Sequence, residues 1–203
     1  AESLSLIEAA AHRWAAHPYD ILRSAIPPRV ASVDKESFND SGTSSRTGKA
    51  KRSYVQIPPV VNRFEFIESM VSNSSIRGSV LIVLPDSRSA THLHSLMKSS
   101  ILLDSTLERA ERYRNFLQIR NGRDLIVIGT RSAIFAPIAD LSSIIVIDEG
   151  SESHYEPRTP GWNVRDVAIL RSRQSNLSLN FVGYSPSSEA ARLVETKWMD
   201  YSA

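Results

Sequence analysis

Four short apolar runs, rich in β-branched residues, recur along the chain: Val80-Leu81-Ile82-Val83-Leu84, Leu125-Ile126-Val127-Ile128, Ile144-Ile145-Val146-Ile147 and the weaker Leu179-Asn180-Phe181-Val182. Runs this short and this uniformly apolar have no polar face to turn to water, so they fit strands covered on both sides. Between and after them lie stretches of helical character at about 88–99, 105–120, 163–174 and 187–198. Strand–helix alternation predicts an α/β fold with a doubly wound, mainly parallel sheet. Right-handed crossovers then put ligands at the carboxyl ends of the strands. On the second helical stretch, Leu107, Ala110, Tyr113, Phe116 and Leu117 share one face, with Glu108, Arg109, Glu111 and Arg112 outside it. That face reads as core packing.

The amino-terminal part differs. Residues 3–16 read as an amphipathic helix with Leu4, Ile7, Ala11 and Trp14 on one face and a capping-box spacing at Ser5 and Glu8. A second helix is expected from Tyr19 to Ala25, stopped by Pro27-Pro28. Residues 33–53 are polar and aperiodic, with a basic end at Arg46, Lys49, Lys51 and Arg52, and read as a flexible linker. The expected organisation is a small helical appendage at 1–32, a linker at 33–53 and the main lobe at 54–203. Apolar residues make up 41% of the 203, enough for a core, and 24 Lys and Arg stand against 22 Asp and Glu. That balance excludes a strongly polyanionic or polycationic chain and fits an anionic partner or ordinary surface equally. The chain has no cysteine, which excludes disulfides and thiolate metal sites and suits a reducing compartment. No apolar run approaches the ~18 residues of a membrane helix, so no membrane partner is expected. Ala1-Glu2-Ser3-Leu4 lacks the layout of a secretory signal, and the absent initiator Met reads as a processed product or a piece of something longer.

The most informative chemistry lies in Ile144-Ile145-Val146-Ile147-Asp148-Glu149. An apolar strand ending in Asp-Glu is the Walker B arrangement of nucleotide motors, where the Asp holds hydrated Mg²⁺ and the Glu orients the attacking water. Two acids at a turn after a strand also arise by chance, and the segment alone does not separate the two. Gly129-Thr130-Arg131-Ser132-Ala133-Ile134-Phe135 follows another strand and offers hydroxyls and a guanidinium suited to nucleic-acid phosphates at Thr130, Arg131 and Ser132. A capped strand-to-helix turn would use the same residue types. His92 and His94 are two apart and do not share a helix face, so no metal pair is expected. A triad of Ser185, Asp148 and His154 lacks the Gly-x-Ser-x-Gly elbow, and His154 reads as a surface loop residue. No Gly-x-Gly-x-x-Gly follows any strand.

Taken in order, Pro85-Asp86, the run Val127-Ile128-Gly129-Thr130-Arg131-Ser132-Ala133-Ile134-Phe135-Ala136-Pro137, Asp148-Glu149, Arg165-Asp166-Val167-Ala168 and Gly183-Tyr184-Ser185-Pro186-Ser187-Ser188-Glu189 resemble the first motor lobe of the PriA-type superfamily 2 replication-restart helicases, the primosomal protein N′ family. Trp14 to Pro28 is similar to the end of that family's DNA-binding amino-terminal domain. The resemblance covers about residues 10–30 and 54–198, with the 124–149 block the most specific part. It implies a RecA-like lobe.

The departures carry as much weight. Where the family has a Gly-x-x-x-x-Gly-Lys-Thr phosphate loop, this chain has Ile57-Pro58-Pro59-Val60-Val61-Asn62-Arg63-Phe64. There is no glycine to let successive amides converge on oxygens, and the two prolines remove two N–H donors. Arg63 and Phe64, after Asn62, stand where the Lys and the Mg²⁺-binding hydroxyl belong. Gly150-Ser151 replace Glu-His after the acids, Ser185-Pro186 replace Ala-Thr, and only about twenty residues stand where the family often has a winged-helix domain. This pattern looks like the actinobacterial branch, thought to lack helicase activity. The resemblance implies a replication-restart protein that recognises stalled or branched forks and does not turn over ATP. Its partners would be forked or single-stranded DNA, with single-strand-binding protein and other primosome proteins, in the cytoplasm. No cofactor is expected in this chain: ATP and Mg²⁺ would enter only if Asp148 and Glu149 still bind, and the family's zinc module lies outside it. Two other readings stand beside this one: an ATP-dependent 3′-5′ DNA helicase lobe that still binds nucleotide through Asp148 and Glu149, and a structural spacer.

Overall fold

The computed structural model describes residues 2–38, 50–72 and 78–203. Seven strands, β1 (Arg52–Gln56), β2 (Ser79–Val83), β3 (Ile101–Leu103), β4 (Ile126–Gly129), β5 (Leu141–Ile147), β6 (Ser178–Gly183) and β7 (Asp200–Ser202), form one sheet in the order β3-β4-β2-β5-β6-β1-β7. Every pairing is parallel. The apolar runs explain the middle of this order. In β2 and β5 every residue is buried, and successive side chains enter opposite layers. Leu81, Val83, Ile144 and Val146 join one core, while Val80, Ile82, Ile145 and Ile147 join the other.

Helices cover both faces. The first layer holds α1 (Glu2–Arg13), α2 (Pro18–Ala25), α5 (Arg109–Asn121) and α6 (Val164–Ser175), whose Leu6, Ile21, Phe116 and Val167 share one cluster. The second holds α3 (Arg63–Ser72) and α4 (Ser87–Leu96), through Ile67, Ala90 and Leu93. A last helix, α7 (Ser188–Glu195), starts on Ser187, whose hydroxyl accepts from the Ala190 amide. The Tyr113, Phe116 and Leu117 face of α5 is buried as expected, with Ala110 partly buried beside it, but Leu107 precedes the helix and packs against the other core.

Several boundaries differ from the sequence reading. The first helix already runs at Glu2, so Ser5 and Glu8 lie inside it and form no capping box. It ends at Arg13, where Ala15 turns left-handed (φ 49°) and the Ala16 amide reaches back to the Ala11 carbonyl at 2.8 Å. That closure is a Schellman-type stop made without glycine. Nor is the helical piece a detached appendage: Leu6, Ile7, Ala10, Ala11, Ile21 and Ala25 are buried in the lobe's own core, with α1 packed on α2 and α6.

The expected linker at 33–53 is ordered at both described ends. Val33 is buried, Asp34 accepts from the Tyr113 hydroxyl at 2.7 Å, and Glu36 takes both arms of the Arg114 guanidinium at 2.7 Å. Arg52 and Ser53 open β1. Residues 39–49, including Arg46 and Lys49, lie outside the described residues. Among the described residues no helix is long and apolar enough to cross a membrane.

Candidate nucleotide and nucleic-acid site

β5 delivers Asp148 and Glu149 to the carboxyl edge of the sheet, and the two acids then part company. Asp148 is left-handed (φ 49°), a conformation that Asp tolerates, and its amide donates to the Val182 carbonyl at 2.8 Å. Gly183 at the end of β6 leaves room for this turn: a Cβ there would lie 3.2 Å from Asp148 Oδ1 and 3.0 Å from the Tyr54 hydroxyl. Tyr54 on β1 is buried, and burial together with Glu149 and Asp148 pushes its phenol up. Nothing in the sequence pattern pointed to Tyr54; only the β1–β6 pairing brings it under the acids.

Arg63, at the start of α3, donates Nη1 to Asp148 Oδ2 at 3.1 Å and Nη2 to Ser89 Oγ at 2.9 Å. Ser89 Oγ donates in turn to Asp86 Oδ2 at 2.8 Å, so Asp148, Arg63, Ser89 and Asp86 form one chain of contacts. Burial raises the Asp148 carboxyl; Arg63 opposes and Asp86 reinforces that shift. The Arg63 guanidinium also sits over the Phe64 ring, 4.8 Å from its centre. Asn62 closes the same helix end: its Oδ1 accepts from the Phe64 amide at 3.0 Å. The Ile57 amide is tied to the Gly183 carbonyl and the Val61 amide to the Pro58 carbonyl. Of Asn62, Arg63 and Phe64, Arg63 is the one that contacts Asp148; Asn62 caps the helix start and Phe64 packs edge-on against His92.

Glu149 points elsewhere. It is buried, and its two oxygens accept from the Ser187 amide at 2.8 Å and the Ser187 hydroxyl at 2.7 Å. Arg165, in the first turn of α6, lies 3.7 Å from it and 3.3 Å from Glu189. Glu149 thus fastens the start of α7 to the end of β5.

The second candidate group lines a cleft of about 740 Å³ at the same sheet edge. Gly129 ends β4 against Leu103: a Cβ there would meet the Leu103 carbonyl at 2.6 Å and the Ala133 Cβ at 2.5 Å, so only glycine allows this approach. The turn that follows is a 3₁₀ helix over Arg131–Phe135. Thr130 and Ser132 face the cleft, but the Thr130 hydroxyl donates to Asp104 Oδ2 at 2.8 Å. Arg131 braces the next loop, donating to the Ser153 and Tyr155 carbonyls at 3.2 and 2.8 Å and pairing with Glu156 at 3.2 Å.

Asp104, invisible to the sequence reading, is the hub. Fully buried, it accepts from Ser87, Thr106 (amide and hydroxyl) and Thr130, joining the loops after β2, β3 and β4. Burial works to raise its carboxyl, but these hydrogen bonds outweigh it and hold the group below the usual aspartate range. A depressed carboxylate stabilises the fold at pH above its unfolded pKa of about 3.9 and loses that contribution as pH falls through the folded value. Asp104→Asn should therefore lower the unfolding free energy at neutral pH by about 1–3 kcal/mol and flatten its fall in acid. Urea unfolding of both proteins from neutral pH to about pH 3 checks this. Parallel curves for the two proteins would refute it.

The weaker candidates resolve simply. His154, expected at the surface, is fully buried: the turn at Glu152–His154 folds it under β5, with Nε2 2.8 Å from the Ile147 carbonyl, and burial lowers its pKa. Ser185 is exposed. His92 packs edge-on against Phe64 while His94 meets Ser100 Oγ at 2.8 Å, so the pair diverges. Among the described residues no cluster of three or more metal-ligating side chains occurs.

The parallel sheet with helices on both faces and its acid-tipped central strand define a RecA-like α/β lobe. A solved structure of this fold, the carboxyl-terminal domain of Saccharomyces cerevisiae Dbp5 bound to Gle1 and IP6, matches with a TM-score of 0.56 and 14% identity over 75% of this chain and 88% of that one. The chain is similar to replication restart proteins PriA: 29% identical to that of Mycobacterium leprae over 98% of its length and 29% to that of Mycobacterium tuberculosis over 95%. The counterpart of Thermotoga maritima is 29% identical over 55% of the chain. The mycobacterial matches agree with the actinobacterial branch expected from the departures. The chain spans about a third of the length of these mycobacterial relatives, 35% and 34%. No family model matches it.

Proposed function

We propose that this chain is a nucleic-acid-binding lobe of a cytoplasmic replication-restart protein, descended from a helicase motor and without ATP turnover. Its partner is forked or single-stranded DNA, engaged at the carboxyl edge of the sheet within a primosome. The observation that carries the proposal is the Arg63–Asp148 contact of 3.1 Å. A fixed guanidinium sits on the carboxylate that would otherwise hold a hydrated Mg²⁺. Like charge and occupied volume both oppose the metal there.

Two further observations support this reading. The amide of Phe64, at the helix end where a phosphate would settle, is already satisfied by Asn62. Glu149 is buried, and both its oxygens already accept from Ser187, which ties the carboxylate to the start of α7. The residues of this corner do not fit a magnesium–nucleotide. The retained acids alone do not favour the helicase reading, because each has a structural partner.

Titration calorimetry with Mg·ATP at about millimolar nucleotide should give no binding heat; a dissociation constant near micromolar would overturn the proposal.

A further inference from the structure

The large cleft holds three cations besides the Arg131 that the motif pointed to. Four arginines line it, Arg23, Arg112, Arg131 and Arg158, against two carboxylates, Asp86 and Glu156. Glu156 is taken by Arg131, and Asp86 caps α4 and receives Ser89. The other three arginines make no ion pair among the described residues, and Nε of Arg112 is enclosed without a hydrogen-bond partner. They come from three separate segments: Arg23 from α2, Arg112 from α5 and Arg158 from the loop before α6. Excess positive charge spread across a wide cleft suits a ligand with repeated negative charge, because each guanidinium can meet a different phosphate.

The rest of the lining sharpens the ligand. Ser24, Ser132 and Thr159 line the cleft, and hydroxyls of this kind are phosphate donors. No aromatic side chain lines it, so there is no platform on which a base could stack. Arg131 is committed to holding the 153–156 loop, and Thr130 to Asp104.

We infer that this cleft is a seat for the sugar–phosphate backbone, built jointly by the amino-terminal helix α2 and the lobe, in which Arg23, Arg112 and Arg158 contact phosphates and Arg131 positions the wall. The seat grips without reading bases. It also makes α2 part of the binding surface, so DNA held there bridges the amino-terminal helices and the sheet edge. This inference rests on the DNA-binding reading above and deepens it.

The test uses the 203-residue chain and fluorescent single strands of dT and dA about 20 nucleotides long. The double variant Arg23→Ala/Arg158→Ala changes two exposed residues and should keep the native melting temperature. Its affinity should fall about tenfold near 50 mM salt, with the slope of log K against log salt shallower by about 1.4. Arg131→Ala should change affinity by less than about threefold, and dT and dA should bind within about threefold of each other. If the unmodified chain binds neither strand at low salt, the DNA-binding reading and this inference fall together. If it binds and the double variant keeps affinity and slope, or Arg131→Ala is the more damaging change, only the assignment of the arginines falls. A preference above about tenfold between dT and dA would show base reading and overturn the backbone seat.

Discussion

Arg171→Ala is expected to lower the unfolding free energy by about 2–4 kcal/mol, because it removes a buried cation that holds the segment ahead of β5 in place. Arg171 lies on α6, and its guanidinium donates to the Ile134 carbonyl at 2.6 Å and the Ala136 carbonyl at 2.8 Å. Burial pushes its pKa down to about 10, so the group stays charged at neutral pH. The Ala136 carbonyl also receives the Ile138 amide, so the alanine variant strands one carbonyl, that of Ile134, and empties the volume of a long stem. Arg171→Leu refills much of that volume and isolates the hydrogen-bond part, about 1–2 kcal/mol. Urea unfolding of the two variants separates packing from polar satisfaction. An alanine variant as stable as the parent would show that the guanidinium is not what anchors the turn.

What the sequence disclosed follows from what each residue's neighbours contribute. β2, β4, β5 and β6 were legible because each carries a run of three or more apolar residues, broken in β6 by Asn180, between covered faces. β1, Arg-Ser-Tyr-Val-Gln, buries only Tyr54 fully and borrows its order from β6 and β7, so its sequence resembles the polar stretch before it. β3 and β7 are three residues each, too short for a period. The candidate site divides the same way. Arg63 could be singled out in the chain by its place in the 57–64 segment, but its seat on Asp148 and Ser89 depends on α3 and α4 lying side by side. Thr130 and Arg131 were legible as polar groups after a strand, while the partners that consume them, Asp104 and the 153–156 loop, are 26 and 22–25 residues away in sequence. His154 failed as a surface residue because a polar loop gives no sign that one 3₁₀ turn tucks its ring under a strand.

The two acids that most suggested a motor lead to the final prediction. In a hydrolytic lobe the glutamate after the strand acts on water, and Glu→Gln abolishes turnover while leaving the fold alone. Here the opposite pattern is expected. Glu149→Ala removes the acceptor of the Ser187 amide and hydroxyl and the most buried partner of Arg165, whose remaining carboxylates, Glu189 and Asp166, are more exposed. Breaking a buried, hydrogen-bonded charge pair costs about 3–5 kcal/mol when the partner is left alone. Because Arg165 keeps those two carboxylates, about 2–4 kcal/mol is expected for the alanine variant, and about 1–2 for Glu149→Gln, which retains an acceptor for the Ser187 amide. The loss should act on α7, loosening the segment from Ser187 to Glu195 before the rest of the sheet opens. Amide hydrogen exchange reads that directly: protection should drop first across α7 in both variants. Should Glu149→Gln instead match the parent in stability and exchange, the carboxylate would be free at the sheet edge, and its role as a structural clasp would be wrong.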